Sequence, residues 1–256
     1  MNTSFDLLKE LMKAEAGDRN AMRSVAYYLL YENDMDTITA EEAERCVRYL
    51  SAACEAGDPD AMLDLGGMYL SGNGIPADRE RALFWYRKAA ELDHPLAFNR
   101  LAQFYLYDED EDGLGYLPAT SDPERIRKAF EYFRKGAELG EVGCMVELGI
   151  MYMCGECCNA DTEKGFRIFE KAYQADTVEL ESHAQAAFHL AVCYHYGDGV
   201  EKNLSEAKKY ILESRQTEET EYIAGRTGSR YFLDQANEEM QKIIADMEDE
   251  QASAAE

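Results

Sequence analysis

The stretch from Pro59 to Leu92 carries the hydrophobic pattern that the rest of the chain repeats. Ala61, Leu65 and Tyr69 recur at four-residue steps, a spacing that predicts one apolar stripe along a helix. A second stripe at helical spacing follows, formed by Ala82, Trp85, Tyr86 and Ala89. Neither short helix could bury its stripe alone, so the pattern predicts two helices facing each other in an antiparallel hairpin.

Turn-forming residues separate the two predicted helices. Gly72 can adopt the left-handed conformation that ends a helix, and Asn73-Gly74 favours a tight turn. Asp78 is a good N-cap for the second helix.

The same hairpin recurs along the chain. The residue just past each second helix is a glycine or aspartate, at intervals of about 36 to 47 residues; these residues are Gly17, Gly57, Asp93, Gly140 and Asp176. Each first helix carries a leucine followed by a small residue, at Leu65-Gly66, Leu101-Ala102, Leu148-Gly149 and Leu190-Ala191. The small residue permits close helix approach, and a tyrosine four positions after the leucine fills the space beside it.

The second hairpin, from Pro59 to Leu92, resembles a Sel-one-like repeat, a relative of the tetratricopeptide repeat. The resemblance rests on Leu65-Gly66-x-x-Tyr69-x-x-Gly72-x-Gly74 followed by Ala82-x-x-Trp85-Tyr86. The third hairpin has an acidic insertion in place of the Gly-x-Gly turn, and the fourth hairpin has Cys157 in place of the second glycine. The resemblance implies an all-α fold, a right-handed alpha-alpha superhelical solenoid of about five helical hairpins with capping helices.

The predicted domain order follows from these units. We expect an N-terminal capping helix at 1–17, five Sel-one-like repeats at 18–214 with an insertion at 108–122, a linker at 215–230, a C-terminal capping helix at 231–248 and a disordered tail at 249–256.

The charge balance narrows the class of partner. The chain has 26 basic and 51 acidic residues, a net charge of −25. Such a charge repels nucleic-acid backbones and anionic membranes, so we expect neither as a partner, whereas a basic protein or peptide would be attracted. The alternative is that the acidic surface only keeps the protein in solution.

Several features favour the cytoplasm. The start of the chain has no signal-peptide pattern, and no segment approaches the length of a membrane span. Seven cysteines, an odd number, fit a reducing compartment better than a disulfide framework.

The cysteines of the fourth unit are the sharpest candidates for chemistry. Cys154, Cys157 and Cys158 could bind zinc or act in redox chemistry, and His189 with Cys193 could complete a tetrahedral set. The competing interpretation is that cysteines at small or apolar repeat positions simply pack as hydrophobic residues.

The acidic insertion partly matches a calcium-binding loop. Asp108, Asp110, Asp112 and Gly113 occupy the first, third, fifth and sixth places of that loop, but its twelfth place is Ala119 rather than a carboxylate. A solvated acidic loop is the favoured interpretation.

Nothing in the sequence supports an enzyme, and no cofactor is predicted. The histidines in the fifth unit have no nucleophile fixed beside them in the sequence, and each Gly-x-Gly lies between two helices rather than after a strand, where it would bind phosphate.

The resemblance implies a function in protein binding. In such families the first helices line a concave surface, and side chains two positions before and two, five and six positions after the anchor leucine face the partner. The candidates are Arg23, Tyr27, Tyr31, Leu63, Leu70, Asn99, Gln103, Tyr107, Val146, Phe188, His195 and Tyr196. We expect a non-catalytic scaffold or adaptor that binds a protein or peptide there. The alternatives are an acidic inhibitor or immunity-type protein that masks a basic partner, and a zinc or thiol-redox protein.

Overall fold

The computed structural model describes residues 7–32, 39–107, 121–155, 157, 159–176, 180–224 and 229–254. Within these ranges the chain forms twelve α-helices and no β-strand, which confirms the predicted all-α class. Positions 108–120, which include the calcium-like residues, lie outside the described part, as does Cys158.

Twelve α-helices follow one another along the described part of the chain. They are α1 (Leu7–Glu15), α2 (Arg19–Tyr27), α3 (Ala40–Glu55), α4 (Pro59–Ser71), α5 (Arg79–Glu91), α6 (Pro95–Leu106), α7 (Pro123–Glu138), α8 (Val142–Cys154), α9 (Thr162–Gln174), α10 (Leu180–Tyr196), α11 (Leu204–Ile223) and α12 (Ser229–Ala254). A π-helical turn, Tyr28–Glu32, continues α2.

The chain divides into two compact units, Met1–Phe104 and Tyr105–Glu256. In the first unit each of α1 to α4 packs on the next helix, and α4 packs on α5. Tyr49, Leu50 and Leu65 are almost fully buried in its core. The hydrophobic stripes that the sequence predicts therefore close against neighbouring helices.

The second unit packs in the same consecutive way from α7 to α12. Its buried aromatic and aliphatic side chains include Phe133, Phe169, Ile211 and Ile243. In addition, α10 contacts both α8 and α12. First helices of successive hairpins are thus neighbours, and α12 takes the place beside α10 that a further first helix would occupy.

The small residue after each anchor leucine permits the close approach within a hairpin. A Cβ atom added at Gly66 would lie 2.5 Å from the ring of Tyr86, a separation that real atoms do not reach. Gly149 meets the ring of Phe169 in the same way. The glycines are therefore required by packing on the second helix.

A backbone hydrogen bond closes the turn inside the second, fourth and fifth hairpins. The backbone N–H of Asp78 donates to the carbonyl oxygen of Tyr69 at 2.7 Å, and Asn203 donates to Tyr194 at 2.8 Å. Gly72 and Gly74 adopt φ values of 68° and 69°. Cys157, which replaces the second glycine in the fourth repeat, is held at φ 62°, a conformation that disfavours side chains with a Cβ.

The C-terminal region differs from the expected linker and cap. Residues 215–223 continue α11, and α12 extends through residue 254, beyond the expected end of the cap at 248. The buried side of α11 keeps its helical spacing from Ile211 through Ser214, Glu218 and Glu221. Sequence reasoning placed a linker here because these buried positions are polar, while α12 packs along α11 and supports the added turns.

Candidate functional site

The predicted contact residues lie on or just after the first helices of the hairpins, and two aromatic side chains among them are well exposed. Tyr27 on α2 is 50% exposed, and Tyr196 at the end of α10 is 55% exposed. Tyr107, directly after α6, is half-buried, and the side chain of Tyr31 lies outside the described part. Exposed aromatic residues are favoured anchors in protein interfaces.

Three other predicted contacts are withdrawn from the surface, and Phe188 is half-buried. Val146 and His195 are 1% and 2% exposed, and Asn99 is also buried. Phe188 packs against the cluster that contains Ala191. The side chains of Val146, His195 and Asn99 fill space between helices, so in the folded chain they are packing positions and not available contacts.

An ion-pair cluster joins the beginnings of the first helices in the first unit. Arg23 Nη1 on α2 lies 3.0 Å from Asp58 Oδ2 and 3.1 Å from Asp60 Oδ2. Asp60 Oδ1 in turn lies 3.1 Å from His94 Nε2. The hydrogen bond to Asp58 raises the pKa of the Arg23 guanidinium, with further contributions from Asp60 and Asp64. This cluster holds Arg23 in place at the protein surface.

The middle of the first-helix face in the first unit carries two half-buried leucines. Leu63 and Leu70 on α4 are half-buried, as is Gln103 on α6, which accepts a hydrogen bond from Arg100 at 3.3 Å. Gly67 lies between the two leucines, two positions after the anchor Leu65. In the neighbouring repeats the equivalent positions are Tyr27 and Gln103.

A buried polar network occupies the same face in the second unit. His195 Nδ1 lies 2.6 Å from Glu239 Oε1, and its Nε2 lies 3.2 Å from Asp246 Oδ2. Lys202 Nζ also donates to Asp246 at 3.2 Å. Tyr196 covers the imidazole, with ring centroids 4.2 Å apart. His195 therefore joins α10 to α12.

Sequence reasoning missed the acidic partners in both clusters. Glu239 occupies a position in the buried stripe of α12, three residues after Ala236, but a glutamate there breaks the apolar pattern. The sequence does contain one signal for this contact. A carboxylate lies within the apolar stripe of the last helix, and a histidine lies on a helix predicted beside it.

The candidate zinc ligands are not brought together in the described part of the chain. His189 stacks on Phe169 with ring centroids 4.8 Å apart, and burial lowers its pKa to about 4. Burial raises the pKa of the Cys193 thiol to about 12. Cys154 and Cys157 are exposed. Among the described residues, no group of three or more His, Cys, Asp or Glu side chains could hold a metal ion.

A family model decides the relationship of the chain to known proteins. The model of the Sel1 repeat matches residues 19–58, 59–94, 97–141, 142–176 and 184–214. The chain belongs to the Sel1 repeat family. The resemblance that the residues indicated is thereby confirmed.

Several curated proteins are similar to parts of this Sel1 repeat protein. HRD3A of Arabidopsis thaliana, an ERAD-associated E3 ubiquitin-protein ligase component, is 28% identical over 145 residues, 56% of this chain and 20% of the relative. The chitin synthase regulator SKT5 of Saccharomyces cerevisiae is 27% identical over 176 residues, 67% of this chain and 24% of the relative. The chain thus spans a quarter or less of the length of these relatives.

Crystal structures of several bacterial proteins share the fold. The Escherichia coli protective antigen c5321 matches with a TM-score of 0.62 at 23% identity, over 93% of this chain and 48% of the antigen. A Sel1 repeat protein from Oxalobacter formigenes matches with a TM-score of 0.61 at 22% identity, over 82% and 78% of the two chains. The immunity protein PA5088 of Pseudomonas aeruginosa matches with a TM-score of 0.51 at 21% identity, over 90% and 83%. The predicted solenoid class is therefore confirmed.

None of the described helices combines the length and apolar character that crossing a membrane requires.

Proposed function

We propose that this Sel1 repeat protein is a non-catalytic adaptor that binds a protein or peptide on its first-helix face. The observation that carries the proposal is the exposure of Tyr27 and Tyr196 on first helices of a repeat family that binds proteins. A tyrosine offers a large contact area at low entropy cost, and each of these two side chains leaves about half of its surface to solvent.

The charge favours a basic partner. With a net charge of −25, the protein attracts basic surfaces over distances of about one Debye length, roughly 8 Å at physiological salt. The seven cysteines favour work in a reducing compartment, the cytoplasm, and the six that the structure describes are not in disulfides.

Capture from the native host tests the adaptor function. The immobilised chain would be exposed to host extract at low salt and washed at high salt, beside a chain carrying Tyr27→Ala and Tyr196→Ala. An adaptor with an aromatic contact surface retains a specific protein through the high-salt wash and loses it in the double variant. Equal retention by both chains would count against the first-helix face.

A second candidate is an acidic inhibitor that masks a basic surface. The charge of −25 favours it, and an immunity protein from Pseudomonas aeruginosa has the same fold. Charge masking predicts that the association rate constant with the captured partner falls steeply as salt rises. An association rate that is insensitive to salt would exclude this function and leave the adaptor.

A further inference from the structure

Gly67 is a glycine inside α4 that packing does not require. A Cβ added at Gly67 would meet only the hydroxyl of Tyr86, at 3.9 Å, which is ordinary contact. At the adjacent Gly66 the same atom would collide with the ring of Tyr86. Glycine weakens a helix interior relative to alanine. Gly66 is thus explained by the fold, whereas Gly67 carries the cost of a glycine without a contact that needs it.

Gly67 leaves a gap between two apolar side chains on one face of α4. Leu63 lies one turn before it and Leu70 one turn after it on the same helix face, and both side chains are half-buried. The Ser71 hydroxyl donates to the Gly67 carbonyl oxygen at 3.0 Å, so this backbone oxygen has a polar partner within the helix. We call Leu63, Gly67 and Leu70 the Gly67 notch.

The repeat register places the notch within the first-helix face. Two positions after the anchor leucine, the preceding repeat carries Tyr27, which is 50% exposed, and the following repeat carries Gln103. Arg23 on α2 is paired with Asp60 on α4, which shows that the two helices are neighbours at this face. The notch therefore lies beside helices that present larger side chains.

The charge around the notch is acidic. Three carboxylates, those of Asp58, Asp60 and Asp64, act on the single guanidinium of Arg23. Asp60 and Asp64 precede Gly67 by two turns and one turn of α4, so the excess negative charge lies at one end of the notch. A basic side chain of a partner would find opposite charge there.

We propose that the Gly67 notch receives a bulky apolar side chain from a basic segment of a partner protein. The glycine leaves room for that side chain, Leu63 and Leu70 contact it, and the carboxylates near Arg23 attract lysine or arginine next to it. This inference rests on the proposed protein-binding function and assigns it a position and a partner chemistry.

Replacing Gly67 by a residue with a side chain should stabilise α4 and weaken the binding of the partner. Gly67→Ala removes a helix-weakening glycine, so the melting temperature should rise by about 2–4 °C. Gly66→Ala, the matched control, should lower it because of the Tyr86 ring. A fall in melting temperature for Gly67→Ala would show that folding needs this glycine and would overturn the proposal.

Binding is measured with arrayed synthetic peptides in which charge and aromatic or leucine content vary independently. The wild-type chain should retain peptides that combine lysine or arginine with a bulky apolar residue. Gly67→Leu should weaken their binding by on the order of tenfold or more. Gln174→Leu adds the same side chain at an exposed position on α9, a second helix, and should bind as the wild type does.

The outcomes separate the notch from the broader function. Unchanged peptide binding by Gly67→Leu would overturn the notch while leaving protein binding in place. Retention of no peptide, or of acidic and basic peptides alike, would also overturn the notch, and the capture experiment with host extract would then judge the adaptor function independently.

Discussion

The imidazole of His195 and the carboxylate of Glu239 form a buried pair that joins α10 to α12, with Nδ1 and Oε1 2.6 Å apart. The side chains are 3% and 7% exposed. Ile243, on the same side of α12, is buried with Ile211 of α11. Apolar packing and this buried polar pair therefore both hold the last helix.

Breaking this pair should destabilise the second unit. Glu239→Ala leaves His195 buried without its closest carboxylate, and the free energy of unfolding should fall by about 3 kcal/mol. Glu238→Ala is the matched control, because the neighbouring carboxylate is 70% exposed and pairs only at the surface with Lys242; its effect should stay within about 0.5 kcal/mol. Urea denaturation followed by circular dichroism compares the two, and equal effects would contradict a structural role for the pair.

Cys157 should be replaceable by glycine with a gain in stability. The residue is exposed and held at φ 62°, where the corresponding repeats have Gly74 and Gly199. Relief of the left-handed strain exceeds the entropy cost of glycine, for a net gain of about 0.5–1 kcal/mol. Cys154→Ala, a change within the helical end of α8, should be nearly neutral. A melting temperature for Cys157→Gly below that of the wild type would show that its side chain makes a stabilising contact.

His189 should make the protein less stable in mild acid. Its pKa in the folded chain is lowered from the ordinary 6.5 to about 4, so between these values only the unfolded chain binds the proton. The free energy of unfolding therefore falls as pH decreases through this window, by up to about 1.4 kcal/mol per pH unit from this group.

The variant His189→Phe isolates that contribution. Phenylalanine can keep the stack on Phe169 but cannot titrate, so the difference in stability between variant and wild type should change between pH 6.5 and 4. A difference that is constant across this range would show that His189 takes up its proton at the same pH in the folded and unfolded chain, and so would contradict the lowered pKa.

Cysteine reactivity should follow burial. Burial raises the pKa of Cys46 to about 11 and those of Cys54 and Cys193 to about 12, which leaves almost no thiolate near neutral pH. Cys154 and Cys157 are exposed. Brief alkylation of the native protein, followed by peptide mass mapping, should label the exposed pair first. Rapid labelling of Cys193 would mean that the fifth repeat opens readily.

The hairpins could be predicted from the sequence because their signals are local. The spacing of Leu65, Gly66 and Tyr69 indicates one helix face, and Gly72 indicates the turn. Both signals lie within a few residues of each other. The structure adds the reason for Gly66, which is the ring of Tyr86 on the second helix.

Burial of the candidate contacts could not be predicted in this way, because it depends on distant partners. His195 shares the register of other candidate positions, yet Glu239 and Asp246, 44 and 51 residues further along, enclose it. The length of α11 was missed for a related reason: Ser214 and Glu218 are polar, but their helical spacing continues the buried side.

The central claim is that a partner protein binds the first-helix face. It is tested most directly by the affinity of a captured host protein for variants on first helices and on a second helix. Tyr27→Ala and Tyr196→Ala remove exposed aromatic side chains from first helices, and Phe84→Ala removes one that is 51% exposed from α5, a second helix. We predict that the first two variants weaken binding by on the order of tenfold or more while Phe84→Ala binds as the wild type does. Loss of binding in Phe84→Ala alone, with both tyrosine variants unaffected, would contradict recognition by the first-helix face.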